Sequence, residues 1–119
     1  MKLKDAVALM KEQGLIDESE VYAYGQKASV LGGAVGAAAN GVLICEKDDV
    51  LRVFDAKIDN SWASNILTAK KEELSAVKVK NVFFGLQKKL CFSYGGRNYV
   101  FLVPYGHKSM VAYFKGLVQ

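Results

Sequence analysis

The stretch that decides the fold is residues 90–104, LCFSYGGRNYVFLVP. In its first half the apolar side chains of Leu90, Phe92 and Tyr94 alternate with the more polar Cys91 and Ser93. This period of two is expected for a strand with one buried face. Gly95-Gly96 follows and supplies the positive φ angles that a tight hairpin needs. Residues 97–103 are then the return strand, which Pro104 ends.

A strand before this hairpin and a helix after it extend the pattern. Val77 and Val79 alternate with lysines, which predicts another half-buried strand. After Gly106, apolar residues recur at helical spacing, at Met110, Tyr113, Phe114 and Leu117. Residues 73–119 therefore predict a strand meander that ends in one amphipathic helix.

The first residues of the chain predict a short amphipathic helix. Apolar residues recur at helical spacing, at Leu3, Ala6, Val7 and Met10. Gly14 follows where a C′ glycine would end the helix, and we expect Leu15 and Ile16 to pack back on it. We assign residues 1–16 to an N-terminal helical extension.

Between these two ends, short apolar runs alternate with turn signals. A charged turn at 46–49 separates two of the runs, and the polar stretch 55–64 predicts a second turn. Residues 70–74 predict one helical turn or irregular chain. The predicted strands of this part are residues 21–27, 42–45, 50–54 and 66–69. About seven short strands between two helices predict a mainly β (α+β) fold, a small antiparallel barrel or sandwich whose ends the helices close.

Length and composition are those of one ordinary globular domain. The chain has 119 residues, 51% hydrophobic and 24% charged, which is enough to bury a core without disulfides or metals. Its N-terminus lacks the apolar region and the cleavage site of a signal peptide. We expect residues 1–119 to form a single cytoplasmic domain.

Signals for catalysis or metal binding are sparse. Cys45 and Cys91 lie in predicted strands, and we expect both to be reduced, partly buried thiols. The acidic residues between 46 and 59 do not follow the order of a calcium loop, and the lone His107 without a CxxC pair gives no zinc set. We expect no metal, no cofactor and no enzyme activity. An enzyme that pairs one of the cysteines with His107 is a remote alternative.

The charge is divided unevenly along the chain. Residues 1–65 carry 7 basic and 10 acidic groups, a net of −3, whereas residues 66–119 carry 9 basic and 2 acidic groups, a net of +7. The basic half offers candidates for contact with anionic lipid, nucleic acid or an acidic partner, or for keeping a sheet soluble. These candidates are Lys70, Lys71, Lys78, Lys80, Lys88, Lys89 and Arg97.

Nucleic-acid binding would also need exposed aromatic residues among the lysines, for base stacking. Phe83 and Phe84 are the nearest such residues. Two adjacent Phe residues at a strand end favour one contact with the core and one with a loop. We therefore expect no nucleic-acid partner.

Residues 28–45 carry no charge and are rich in Gly and Ala. Gly32 and Gly36 have the spacing that lets helices pack closely in membranes. The alternatives are a Gly-rich loop or bent strand, membrane contact, and a contact between subunits. The glycines match no phosphate-binding loop.

Four apolar residues are candidates for an interface with a partner. Trp62 lies in a polar stretch, where it either anchors a partner or folds back over one end of the sheet. On the last helix not every apolar residue can face one core. The candidates are Trp62, Phe114, Leu117 and Val118.

Three patterns, in this order, resemble the pleckstrin-homology-like superfamily, in particular its small bacterial and GRAM-like members. The first is the hairpin entered at residues 40–44 and returning at 50–54. The second is the strand entry at 73–79, and the third is the hairpin 90–103 followed by Pro104 and a helix. The resemblance covers residues 21–119 and implies a barrel with a C-terminal capping helix.

Two departures from that family limit what it implies. Residues 29–40, which match the loop that holds inositol phosphates in lipid-binding members, contain no Lys or Arg. Tyr113 and Phe114 stand where those members carry a Trp in the last helix. The resemblance therefore implies binding of peptides or proteins, or self-assembly into rings, rather than phosphoinositide recognition.

The sequence leads to a non-catalytic binding module for a protein partner or for copies of itself. Peripheral binding to an anionic membrane through the basic half is the alternative. The identity of the partner and the subunit number have no signal in the sequence.

Overall fold

The computed structural model describes residues 1–28 and 40–118. In these residues seven strands lie between helix α1 (Leu3–Glu12) and helix α2 (Lys108–Leu117). The strands are β1 (Tyr22–Lys27), β2 (Gly41–Lys47), β3 (Val50–Ala56), β4 (Trp62–Lys70), β5 (Ser75–Val82), β6 (Gln87–Tyr94) and β7 (Arg97–Pro104). Short 3-10 turns are formed by Lys71–Glu73 and Phe83–Gly85.

All seven strands belong to one antiparallel sheet in the order β4-β3-β2-β1-β7-β6-β5. The predicted mainly β class and strand number are confirmed, but the predicted barrel closure is wrong. Within the described chain β4 and β5 do not pair, so they are the two edges of an open sheet. A side chain spans the gap instead, because the Tyr94 hydroxyl donates a hydrogen bond to the Thr68 carbonyl at 3.1 Å.

The main core lies between α2 and one face of the sheet. Phe92 of β6 stacks on Phe114 of α2 and contacts Phe101 of β7, with ring centroids 5.7 and 5.9 Å apart. Met110 and Val111 complete the buried face of the helix. The amphipathic helix expected after Gly106 is therefore confirmed.

A second core lies on the opposite face of the sheet, under α1. There Ala6 and Met10 pack with Leu15 and Ile16 against two residues of β2, Leu43 and Cys45. Because Val42 and Ile44 enter the main core, β2 is buried on both faces, which explains its unbroken apolar run.

The predicted end of the first helix is confirmed by its backbone. Gly14 has a φ of 73°, and its N–H bonds to the Lys11 carbonyl at 3.0 Å. The Leu15 N–H bonds to the Met10 carbonyl at 2.9 Å, which completes a Schellman cap. The cap turns the chain so that Leu15 and Ile16 pack back on α1, as expected.

The predicted hairpin turn at Gly95-Gly96 is also confirmed, since the two residues have φ angles of 58° and 79°. The strand predicted at 66–69 is too short, because β4 begins at Trp62. β4 is an edge strand with irregular pairing to β3, so its first residues stay exposed and polar and resemble a turn in sequence. The Gly- and Ala-rich prediction falls mostly on residues 29–39, outside the described residues.

Candidate functional site

The structure divides the seven basic candidates among separate places. Lys70 ends β4, and Lys71 follows it and pairs with Asp49 at 3.4 Å. Arg97 begins β7, next to the glycine turn. The other four lie on the neighbouring strands β5 and β6, and they are Lys78, Lys80, Lys88 and Lys89.

Three of these lysines share the face of the sheet that is turned away from α2. Lys80 lies directly opposite Lys89 in the register of β5 and β6, and Lys78 lies opposite Cys91. Like charges that face each other across an antiparallel pair repel. Between Leu74 and the C-terminus the sequence has seven basic residues and no acidic one, so this segment supplies no neutralising carboxylate.

A groove runs between β5 and the last turn of α2. Apolar side chains of Leu74, Val77, Leu117 and Val118 line one part of it. Its lining continues with the lysines at 78, 80 and 115. Val118 is 45% exposed, so the apolar lining is open to solvent. We call this surface, formed by residues 74–80 and 115–118, the β5–α2 groove.

The groove is bordered by an edge of the sheet. β5 pairs only with β6 in the described chain, so one side of its backbone presents N–H and C=O groups without a strand partner. An unpaired edge of this kind is a template for pairing with another extended segment. A bulge interrupts the pairing between Ser75 and Lys78, where Ala76 has a φ of 52°. The regular ladder of β5 is therefore confined to residues 78–82.

The four apolar interface candidates have different positions. Leu117 and Val118 line the β5–α2 groove. Phe114 is fully buried in the main core and has no surface to offer a partner. Trp62 begins β4 and packs, partly buried, against the core under α1. Of the two positions expected for this residue, the structure therefore shows the one in which it folds back over the sheet.

The expectation that one of two adjacent phenylalanines enters the core is wrong. Phe83 is 64% exposed and Phe84 is fully exposed. Both have left-handed backbone conformations, with φ angles of 51° and 57°, in the turn between β5 and β6. The sequence gives no signal for this conformation, because a Phe residue rarely adopts it.

The cysteines and the histidine lie in different environments. Both thiols are free, and burial raises the pKa of Cys45 to about 12, the opposite of the shift that a nucleophilic cysteine needs. The ring of His107 contacts Tyr22 with centroids 5.8 Å apart, and burial lowers its pKa. Residues 1–28 and 40–118 contain no cluster of three potential metal ligands.

Neither helix of the described chain is long and apolar enough to cross a bilayer. Comparison of the chain with protein-family models, curated proteins and solved structures found no match.

Proposed function

We propose that this chain is a non-catalytic protein-binding domain of the pleckstrin-homology-like type. Its ligand is an extended segment of a partner protein, with acidic and aliphatic residues in alternation, that adds to the edge of β5. The observation that carries the proposal is the unpaired edge of β5 beside the apolar β5–α2 groove.

Strand order supports the assignment to this fold type. β1 to β4 form one meander and β5 to β7 form another, and β1 joins them by pairing with both β2 and β7. A C-terminal helix packs on the shared core face, as the sequence resemblance implies. The open edge between β4 and β5 is the departure from a closed barrel.

The backbone of β5 and the side chains beside it would contribute differently to binding. Main-chain hydrogen bonds to an edge strand give affinity without sequence preference, and pockets for alternate side chains give specificity. Here Leu74, Val77, Leu117 and Val118 offer the apolar contacts. The lysines beside them favour carboxylates on the ligand.

The same charges favour a different protein over a second copy of this chain. If two β5 edges paired, each would bring Lys78 and Lys80 toward the same residues of the other copy. Lysines on an edge strand are a common device against such self-pairing. An acidic segment meets no such repulsion.

Selection from a library of displayed random peptides tests the proposal. We expect enriched peptides to alternate acidic and aliphatic residues. The double variant Lys78→Glu with Lys80→Glu should weaken their binding about tenfold, since two rim charges are reversed. The matched control, Lys2→Glu with Lys4→Glu at the start of α1, makes the same change of net charge and should leave binding unchanged.

Two results would contradict the proposal. One is enrichment of peptides that bind both double variants equally. The other is a solution mass at a multiple of 13.0 kDa that Leu117→Ser lowers, which would assign the groove to a second copy of the chain.

A further inference from the structure

Exposed apolar side chains gather where the β5–β6 turn meets the β7–α2 turn. Phe84 is fully exposed, and its neighbours Phe83, Leu86 and Tyr105 are 64%, 61% and 54% exposed. Backbone hydrogen bonds tie them together, from the Leu86 N–H to the Phe83 carbonyl and from the Tyr105 N–H to the Leu86 carbonyl, both at 3.1 Å. We call these four residues the aromatic tip.

The backbone of the tip is held in an unfavourable conformation. Phe83, Phe84 and Gly85 have consecutive φ angles of 51°, 57° and 85°. For the two phenylalanines this region is disfavoured by contact between Cβ and the backbone, and burial of the exposed Phe84 ring does not offset that cost. The paired residues Val82 and Gln87 fix the base of the turn. The exposed Phe84 ring therefore does not stabilise the fold.

A collar of lysines surrounds the aromatic tip. Gly85 and Tyr105 line a surface depression together with Lys88, Lys108 and Lys115. Lys80 and Lys89 face each other on the strands that lead into and out of the turn. None of these lysines makes an ion pair within the described part of the chain. The collar consists of Lys80, Lys88, Lys89, Lys108 and Lys115.

One acidic residue lies close to the first turn of α2, because the Glu20 carbonyl accepts a hydrogen bond from the Ser109 hydroxyl at 3.2 Å. The Glu20 carboxylate already pairs with Lys11 at 2.7 Å. The unpaired charge around the tip is therefore mainly positive.

We infer that the aromatic tip inserts into the surface of an anionic lipid bilayer while the lysine collar lies over the headgroups. Exposed Phe and Leu side chains gain from burial at the headgroup and acyl boundary, and lysines near an anionic surface add electrostatic attraction. A convex turn with an aliphatic residue suits a bilayer better than a nucleic acid, which is held in a groove with rings stacked on bases.

The aromatic tip and the apolar part of the β5–α2 groove lie at opposite ends of the same two elements. The tip follows the last residue of β5 and adjoins the first turn of α2, whereas the apolar part of the groove uses the start of β5 and the end of α2. Lys80 and Lys115 belong to both surfaces. A domain docked through the tip would keep the apolar part of the groove accessible.

Co-sedimentation with vesicles tests the inference. The probes are phosphatidylcholine vesicles with and without phosphatidylglycerol, each at low and high salt. We expect the protein to pellet with the anionic vesicles at low salt, and the double variant Phe83→Ser with Phe84→Ser to lower the partition coefficient about tenfold or more. The matched control is Ile58→Ser, which removes an 85% exposed side chain from the turn at the opposite end of the strands and should leave partitioning unchanged.

A second readout reports insertion directly. In Phe84→Trp the added indole should shift its emission to shorter wavelength on anionic vesicles and be quenched by brominated lipid, while wild type with Trp62 alone shows neither change. Failure of wild type to pellet with anionic vesicles at low salt would overturn the inference. The inference would also be wrong if the double serine variant pelleted like Ile58→Ser, or if the tip bound single-stranded DNA but not vesicles.

Discussion

Replacing Gly25 with alanine is expected to weaken the junction between β1 and β7. At this point β1 passes so close to its neighbour that an added Cβ would lie 2.3 Å from the Leu102 carbonyl oxygen and 2.8 Å from Val103 Cγ1. The first of these atoms belongs to the backbone of a paired strand. It cannot move aside as the end of a flexible side chain could.

The magnitude follows from the movement that the new atom requires. To reach even a tight contact of 3.0 Å, the backbones must separate by at least 0.7 Å. Overpacking of this kind costs about 1–3 kcal/mol. The neighbouring pairings of Gln26 with Leu102 and Lys27 with Phe101 would weaken as well, at about 1 kcal/mol for each hydrogen bond lost. We expect a loss of about 3 kcal/mol in the free energy of unfolding, and a fall in Tm of about 10 °C.

Urea and thermal denaturation followed by circular dichroism measure this loss. The matched control is Gly116→Ala on α2, where an added Cβ meets no heavy atom within 4 Å. There the expected change is a gain of about 0.5–1 kcal/mol, because alanine favours the helix. A Gly25→Ala protein within about 0.5 kcal/mol of wild type would refute the close approach of β1 to β7.

Three further predictions concern other parts of the fold. Met10→Ala should lower the free energy of unfolding by about 2–5 kcal/mol in urea titrations, since this fully buried side chain anchors α1; a loss below about 1 kcal/mol would mean that α1 is not docked. The free energy of unfolding should fall by up to about 1.4 kcal/mol per pH unit as the pH rises above 9, because the folded protein keeps a proton on Cys45 that the unfolded chain releases. Cys45→Ala should flatten this slope between pH 9 and 10, and an unchanged slope would contradict the burial of the thiol. Gly96→Ala should cost about 1 kcal/mol by thermal denaturation, because its φ of 79° strains an alanine, and a neutral effect would argue against this turn geometry.

Local patterns with a strict stereochemical meaning predicted the fold well. Gly14 and Gly95-Gly96 were placed correctly because a helix C′ position and a two-residue hairpin turn need positive φ angles. Sheet closure depends on contacts between distant strands, and no local pattern reports whether β4 and β5 pair. The double burial of β2 did have a signal, since an unbroken apolar run at 42–45 is typical of a strand covered on both faces.

The sequence identified some residues of the candidate site but not how they are arranged in space. Lys78 and Lys80 were assigned to one strand face by alternation, and the structure agrees. That Leu117 and Val118 meet the start of β5 depends on where α2 docks, which its own amphipathic pattern does not specify. The exposure of Phe83 and Phe84 depends on a left-handed backbone that the hairpin imposes against the preference of both residues.

Amide hydrogen exchange of the protein with and without a selected peptide tests the central claim most directly. Addition of a strand to β5 predicts slower exchange at those β5 amides that face away from β6, with no change on β4, the other edge of the sheet. Unchanged exchange along β5 at saturating peptide, or protection on β4 instead, would contradict the proposal that the β5 edge is the binding surface.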